Sequence, residues 1–264
     1  MTEPNLRLDI DAHGVATVTI DRPATLNAFD EALISSLNVT FGRLASDDAV
    51  RVVVLAAAGR AFCAGADVGW MQRAAANAFE ENLEDARRFA AMMAAVDQCP
   101  KPVVARVQGA AYGGGVGLVC ASDVVIASRR ARFCVSEAKL GILPSVIGPY
   151  LINAVGLRQA RRLALTCTVV EADEALSLGL IHQCVDESEL DEAVERSVKE
   201  LLLAAPGAQH EIKKLFAQLG VAPIDASVRE VTAQTISRVR TGDEARAGFE
   251  AFVAKARPPW ANGQ

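Results

Sequence analysis

Apolar and polar positions alternate over GVATVTIDRP (14–23), the two-residue period of a strand, and the pattern stops at Arg22-Pro23. The period then changes. AFDEALISSLNVTFGRLASD (28–47) places Leu33, Leu37, Phe41 and Leu44 on one face of a predicted helix. VRVVVLAAAG (50–59) is short, β-branched and almost continuously apolar, as in a strand covered on both faces. A loop of small residues, RAFCAGADVGW (60–70), follows it. Residues 75–97 read as a long amphipathic helix through Phe79, Leu83, Ala86, Ala90 and Met93. The unit then repeats: strand KPVVARVQG (101–109), small loop AAYGGG (110–115), helix GVGLVCAS (115–122). SDVVIASRRARFCVSEAKLG (122–141) predicts two short strands around a basic turn. From about residue 157 the pattern is helical, with a joint at Ala205-Pro206-Gly207 and further helices over 208–219, 223–239 and 242–255. The expected organisation is an α/β core over residues 1–200 and a helical region over 201–264.

Composition narrows the function classes. The 264 residues are 51% apolar but only 5% aromatic, so the core must be built of Ala, Val, Leu and Ile. The formal charge of −5 lacks the basic footprint of a nucleic-acid binder. No apolar run reaches the roughly 18 residues of a membrane span, and MTEPNLRLDI has neither a signal-peptide nor a transit-peptide pattern. The six cysteines are scattered without a CxxC and the three histidines lie far apart, which points to buried free thiols in a reducing cytoplasm and to no metal site.

The glycine run in AYGGGVGLV (111–119) carries the candidate chemistry. Gly113 and Gly115 begin a GxGxxG, but residue 118 is Leu; no Gly-Lys-Ser/Thr follows, and no GxSxG exists. Two readings remain. Glycines entering a helix expose backbone N–H groups that can hold a developing oxyanion, aided by the helix dipole. CAGAD (63–67) offers a second loop for a second donor. Alternatively, both loops are tight packing turns.

Five segments in order, DRPATLNAF (21–29), GRAFCAGAD (59–67), KPVVARVQGAAYGGGVGL (101–118), SDVVIAS (122–128) and ARFCVSEAKLGILP (131–144), resemble the crotonase (enoyl-CoA hydratase/isomerase) superfamily over nearly the whole chain. The resemblance implies an α/β fold, a spiral of ββα turns forming two roughly perpendicular sheets, with a helical C-terminal trimerisation region. It implies an acyl-CoA thioester substrate, no separate cofactor, and an oxyanion hole from the backbone N–H groups of Ala66 and Gly114. Ala24, Leu26, Ala64, Asp67 and Gly113 would lie along the substrate. Phe249 and Lys255 of a neighbouring copy would complete the CoA site. The oligomer would be a trimer or a dimer of trimers.

Typical hydratases of the superfamily carry two glutamates. Glu137, in FCVSE, matches one; Gly117 stands where the other is expected, in GGGxE. Glu137 is therefore the expected proton-transfer residue, with a pKa raised by its apolar surroundings. Gly117 would leave the acyl end of the pocket wider. GADVGWMQR (65–73), ENLEDARRFAAMM (81–93) and FCVSEAKLGILPSVIGPYLINAVG (133–156) are similar to bacterial 3-methylglutaconyl-CoA hydratases, and isohexenylglutaconyl-CoA hydratases are similar too. Arg87, Arg88 and Lys139 are possible partners for a second substrate carboxylate, though each also reads as a solvated charge. A Δ3-Δ2 enoyl-CoA isomerase working with one glutamate, and a non-catalytic acyl-CoA binder, are the alternatives.

Overall fold

A computed structural model describes residues 2–3, 5–220 and 223–261, the first pair by backbone alone. The last three residues of the expected C-terminal region lie outside the described residues, as do residues 221–222.

The chain opens with β1 (Thr2–Glu3), β2 (Leu6–Ile10) and β3 (Val15–Ile20), and β2 pairs antiparallel with both neighbours. Helix α1 (Glu31–Ser46) starts where Asp30 accepts a hydrogen bond from Leu33 N (2.8 Å), and it buries Leu33, Leu37, Phe41 and Leu44 as the spacing predicts. Strand β4 (Val52–Ala57) is buried along its whole length. Its alternate residues serve two cores: Val53 and Leu55 pack under α1, and Val52 and Val54 face the opposite layer.

The small-residue segment after β4 does not remain a loop. Asp67 accepts from Gly69 N and Trp70 N and starts α2 (Val68–Ala76). Helix α3 (Phe79–Asp97) follows. Its predicted apolar face is corrected: Phe79, Ala86 and Ala90 are exposed, and the buried residues are Met92, Met93 and Val96. The first half of α3 borders a cavity rather than the core.

Strand β5 (Val103–Val107), the short β6 (Ala110–Tyr112) and helix α4 (Gly114–Cys120) form the second strand–loop–helix unit. Strands β7 (Val124–Ser128) and β8 (Arg132–Cys134) flank the basic turn, whose Arg129 pairs with Asp173 and Asp186 and whose Arg130 pairs with Glu187. Helix α5 (Gly148–Thr166) begins earlier than expected and kinks at Gly156. It is followed by β9 (Val170–Glu171), α6 (Ala172–Ser177), β10 (Gln183–Val185) and α7 (Leu190–Leu203).

Seven strands make the main sheet in the order β1-β2-β3-β4-β5-β7-β10, parallel from β3 onward. A second sheet has the order β6-β8-β9. Leu190, Val194 and Val198 of α7 cover Val52, Val54, Val104 and Ile126 on the second face of the main sheet. The expected boundary at residue 200 falls inside α7, which belongs to the core; the helical region starts after it.

That region comprises α8 (Pro206–Leu219), α9 (Ala226–Arg240) and α10 (Asp243–Val253). Glu244 of α10 accepts from Gly207 N and Ala208 N (both 2.9 Å), satisfying the first amides of α8. Trp260 Nε1 donates to Leu203 O (3.1 Å). Among the described residues no helix is long and apolar enough to cross a membrane. All six cysteines are free thiols; four are buried, and burial pushes Cys63 and Cys120 up to about 12.

Candidate active site

Two backbone devices build the site. The first joins the segment 22–29 to the CAGAD loop. Leu26 and Asn27 adopt left-handed backbone (φ 54° and 59°). The buried Asn27 side chain holds this turn in place: it donates to Ala58 O (2.7 Å) and Ala61 O (2.8 Å) and accepts from Arg22 N (2.8 Å). Arg22 adds a bond to Ala28 O (2.6 Å) and an ion pair with Asp30 (2.7 Å). Ala64 N then donates to Leu26 O, Phe29 N to Gly65 O and Asp67 N to Phe29 O. This is a parallel bridge centred on Phe29 and Ala66. It uses the carbonyl before Ala66 and the amide after it, so the Ala66 N–H faces away from the pairing.

The second device is the glycine run. Gly113 turns the chain into α4 at φ 49°, ψ −119°, and its N–H donates to Cys134 O (2.8 Å), tying α4 to β8. A Cβ on Gly114 would lie 2.9 Å from both Phe29 Cε2 and Phe89 Cζ, and one on Gly115 would lie 2.6 Å from Cys63 O. The glycines serve close packing here, and the run leaves one amide without an intrachain acceptor beside that packing. Gly114 N is the first amide of α4 and has no intrahelical acceptor. Among the described residues neither Gly114 N nor Ala66 N meets a protein acceptor.

Ala64, Ala66, Gly113, Gly114 and Glu137 line one cavity of about 310 Å³. Trp70 and Met71 of α2, Phe89 of α3, and Leu140, Ile142, Leu143 and Ile147 beyond β8 form its apolar walls. Trp70 and Phe29 both stack edge-on against Phe89. Glu137 opens the short 3-10 turn Glu137–Leu140 directly behind β8, so its carboxyl lies against Gly113: a Cβ there would sit 3.2 Å from Oε1. Burial pushes the Glu137 carboxyl above the usual carboxylate range, against a weaker opposing pull from its own and Ser136's backbone. Oε2 of Glu137 and Nε1 of Trp70 are both buried without a hydrogen-bond partner. An orphan acceptor and an orphan donor on two residues lining one cavity mark a site built for something else to bind.

Gly117 does not widen this cavity. It is buried, and a Cβ there would meet Ile147 Cγ2 at 2.5 Å and Met93 Cε at 3.2 Å. The volume expected to be open is occupied by Ile147, so Gly117 is a packing glycine rather than a substrate contact. Ala24 is exposed in the turn Pro23–Thr25, outside the lining. Leu26 reaches the site only through its bond to Ala64, and Asp67 acts as the α2 cap. Phe249 lines a separate apolar groove with Ala208, Val239, Phe252 and Trp260, and Lys255 is exposed just past α10. Within one chain neither approaches Glu137.

Arg87 pairs with Glu84 (3.7 Å), Arg88 with Asp85, and Lys139 is exposed; none lines the cavity. Sequence reasoning missed Asp85, which does line it, together with Asn82, Ala86 and Phe89. These four recur at the i, i+3, i+4, i+7 spacing of one helix face. Polar residues interrupting that face were the available signal.

Residues 11–263 match the family model described as Enoyl-CoA hydratase/isomerase. The structure is similar to an enoyl-CoA hydratase from Shewanella pealeana, with a TM-score of 0.94 and 39% identity, covering 97% of this chain and 96% of that one. A short-chain-enoyl-CoA hydratase of Clostridium acetobutylicum is 35% identical over 74% of both chains. A 1,2-epoxyphenylacetyl-CoA isomerase of Escherichia coli is 30% identical over 93% of this chain and 94% of its own. The extent of these matches, on a chain whose free amides and Glu137 face one cavity, places the protein in the enoyl-CoA hydratase/isomerase family.

Proposed function

We propose that the protein adds water to the double bond of an enoyl-CoA, or removes it in the reverse sense, through a thioester enolate. The observation that carries this reading is the convergence of two unpaired amides, Ala66 N–H and Gly114 N–H, with Glu137 in one apolar cavity. A thioester oxygen held between the two amides gains charge as the enolate forms, and fixed donors there are worth about 10²–10³ in rate each. The dipole of α4 adds to the same field. Glu137, held toward its neutral form by burial, is suited to exchange a proton with the α-carbon.

The acyl end of the cavity is walled by Trp70, Met71, Phe89, Ile142, Leu143 and Ile147 and has no Lys or Arg in its lining. This favours an uncharged aliphatic acyl chain. 3-Methylglutaconyl-CoA, the finer reading suggested by the sequence likeness, rests on that likeness and on Arg88, which stands one hydrogen bond from the lining through Asp85. The Δ3-Δ2 isomerase alternative draws on a single observation, that Glu137 is the one carboxyl recorded against the glycine turn.

An ultraviolet assay at the enoyl-thioester band, with crotonyl-, 3-methylcrotonyl-, 3-methylglutaconyl- and trans-3-hexenoyl-CoA, tests these readings. Hydration of a 2-enoyl ester, lowered about 10²–10⁴-fold in Glu137→Gln, is the expected result. Turnover of the 3-enoyl ester alone makes the protein an isomerase. Turnover of none makes it a binder.

A further inference from the structure

We propose that Asp85 is a catalytic residue that takes the proton from the attacking water. The inference rests on the hydratase reading above and deepens it.

Addition of water needs two proton movements at neighbouring carbons. One proton leaves the water as its oxygen bonds to the β-carbon, and one arrives at the α-carbon. The cavity supplies two ionisable side chains for them: among the described residues that line it, only Glu137 and Asp85 carry a titratable group. Glu137 lies against Gly113, beside the oxyanion-holding amides. Asp85 comes from a different element, α3, in the wall that also holds Asn82, Ala86 and Phe89.

Its accessibility fits the role. The Asp85 side chain is 13% exposed, so the group is shielded without being sealed in. Its recorded protein partner is Arg88, one turn further along α3, and that contact uses Oδ1. Oδ2 has no protein donor among the described residues and is not among the buried orphan atoms. An unpartnered carboxylate oxygen on a residue that lines a largely apolar cavity is where a water molecule finds an acceptor. The guanidinium of Arg88 stays outside the lining, where it anchors the acceptor without competing for the water.

The steps balance without any further reagent. Water's oxygen bonds to the β-carbon as one of its O–H bonds breaks toward Asp85 Oδ2. The π electrons of the C=C bond move into the enolate, whose oxygen is held by Ala66 N–H and Gly114 N–H. The enolate then collapses as the O–H of Glu137 breaks and a C–H bond forms at the α-carbon. Asp85 ends protonated and Glu137 ionised, and solvent returns the proton before the next turnover.

The test separates the two carbons. Hydration is followed at the enoyl-thioester band with whichever ester of the panel above turns over fastest. Enolate formation alone is followed by deuterium exchange of the α-protons of the matching saturated acyl-CoA in D₂O, read by NMR. Asp85→Asn should lower hydration at least about 100-fold, within the usual worth of acid–base catalysis, and leave α-exchange within about threefold of wild type. Glu137→Gln should lose both activities. Hydration near the wild-type rate in Asp85→Asn, or a parallel fall of hydration and exchange, overturns the assignment. Should Asp85→Asn fail to fold, Asp85→Glu is read by the same split, since moving the carboxylate by one methylene must slow hydration and spare exchange. If the wild-type protein hydrates no ester of the panel, the hydratase reading itself fails; if Glu137→Gln loses both activities while Asp85→Asn loses neither, only Asp85 falls.

Discussion

Gly117→Ala tests whether the space beside α4 is open or filled. The added Cβ would lie 2.5 Å from Ile147 Cγ2 and 3.1 Å from Ile147 Cβ. An ordinary carbon–carbon contact is about 3.5–4.0 Å, so the overlap is roughly 1 Å with the closest atom. Relief requires Ile147, itself buried, to move away from Met93 and α4. Overpacking of this kind costs about 1–3 kcal/mol, and replacing a helical glycine by alanine returns up to about 1 kcal/mol. The net expectation is destabilisation by about 1–2 kcal/mol, or a Tm lower by about 2–8 °C for a chain of this size. Ile147→Ala alone leaves a cavity and should cost about 2–5 kcal/mol. In the double variant the new methyl sits where Ile147 was, so the losses should fall short of their sum by at least about 1 kcal/mol. Thermal melts of the four proteins measure the cycle. Losses that add to within about 0.5 kcal/mol, or a Gly117→Ala protein as stable as wild type, would show that Ile147 does not fill this volume and would restore the wide pocket.

Three shorter predictions accompany it. Gly114→Ala drives a methyl group against Phe29 and Phe89 at 2.9 Å and should cut turnover at least about tenfold through displacement of the donor amide, checked by kcat/KM alongside a melt. Because burial raises the Glu137 pKa in the folded state, the neutral form is favoured by folding; stability from this group is present at acid pH and lost as pH rises through the folded value. Glu137→Gln should therefore gain stability over wild type toward neutral pH, with the difference vanishing below the usual carboxylate range, as read by denaturant titration at several pH values. The exposed Ile212, Phe216, Ile236, Phe249 and Phe252 on α8–α10 predict self-association, and the family resemblance implies that it takes the form of trimers or dimers of trimers; a monomer by light scattering at micromolar concentration refutes it.

Much of the architecture was legible because it depends on local pattern. The period-two run of β3, the filled apolar run of β4 and the Leu33–Leu44 stripe of α1 each fix an element without outside help. What escaped depended on contacts distant in sequence. Helix α2 was hidden because its start is an Asp67 cap in a small-residue loop, and its body, VGWMQRAAA, has no buried residue to set a stripe. The face of α3 was misjudged because its first half borders the cavity, where an apolar pattern signals a ligand rather than a core. The two candidate donors were placed by motif, yet the reason the Ala66 amide is free lies in its bridge to Phe29, which no spacing rule reveals. The outcome at Gly117 was misread for the same reason: a missing side chain suggests space, and only the position of Ile147 shows that there is none.

The central claim is that the Ala66 and Gly114 amides hold the thioester oxygen, and a crystal structure with a bound acyl-CoA tests it most directly. The account predicts the thioester oxygen at about 2.7–3.2 Å from both nitrogens, with the α-carbon turned toward Glu137. A thioester oxygen facing solvent or a side chain, with either amide unoccupied, would contradict it.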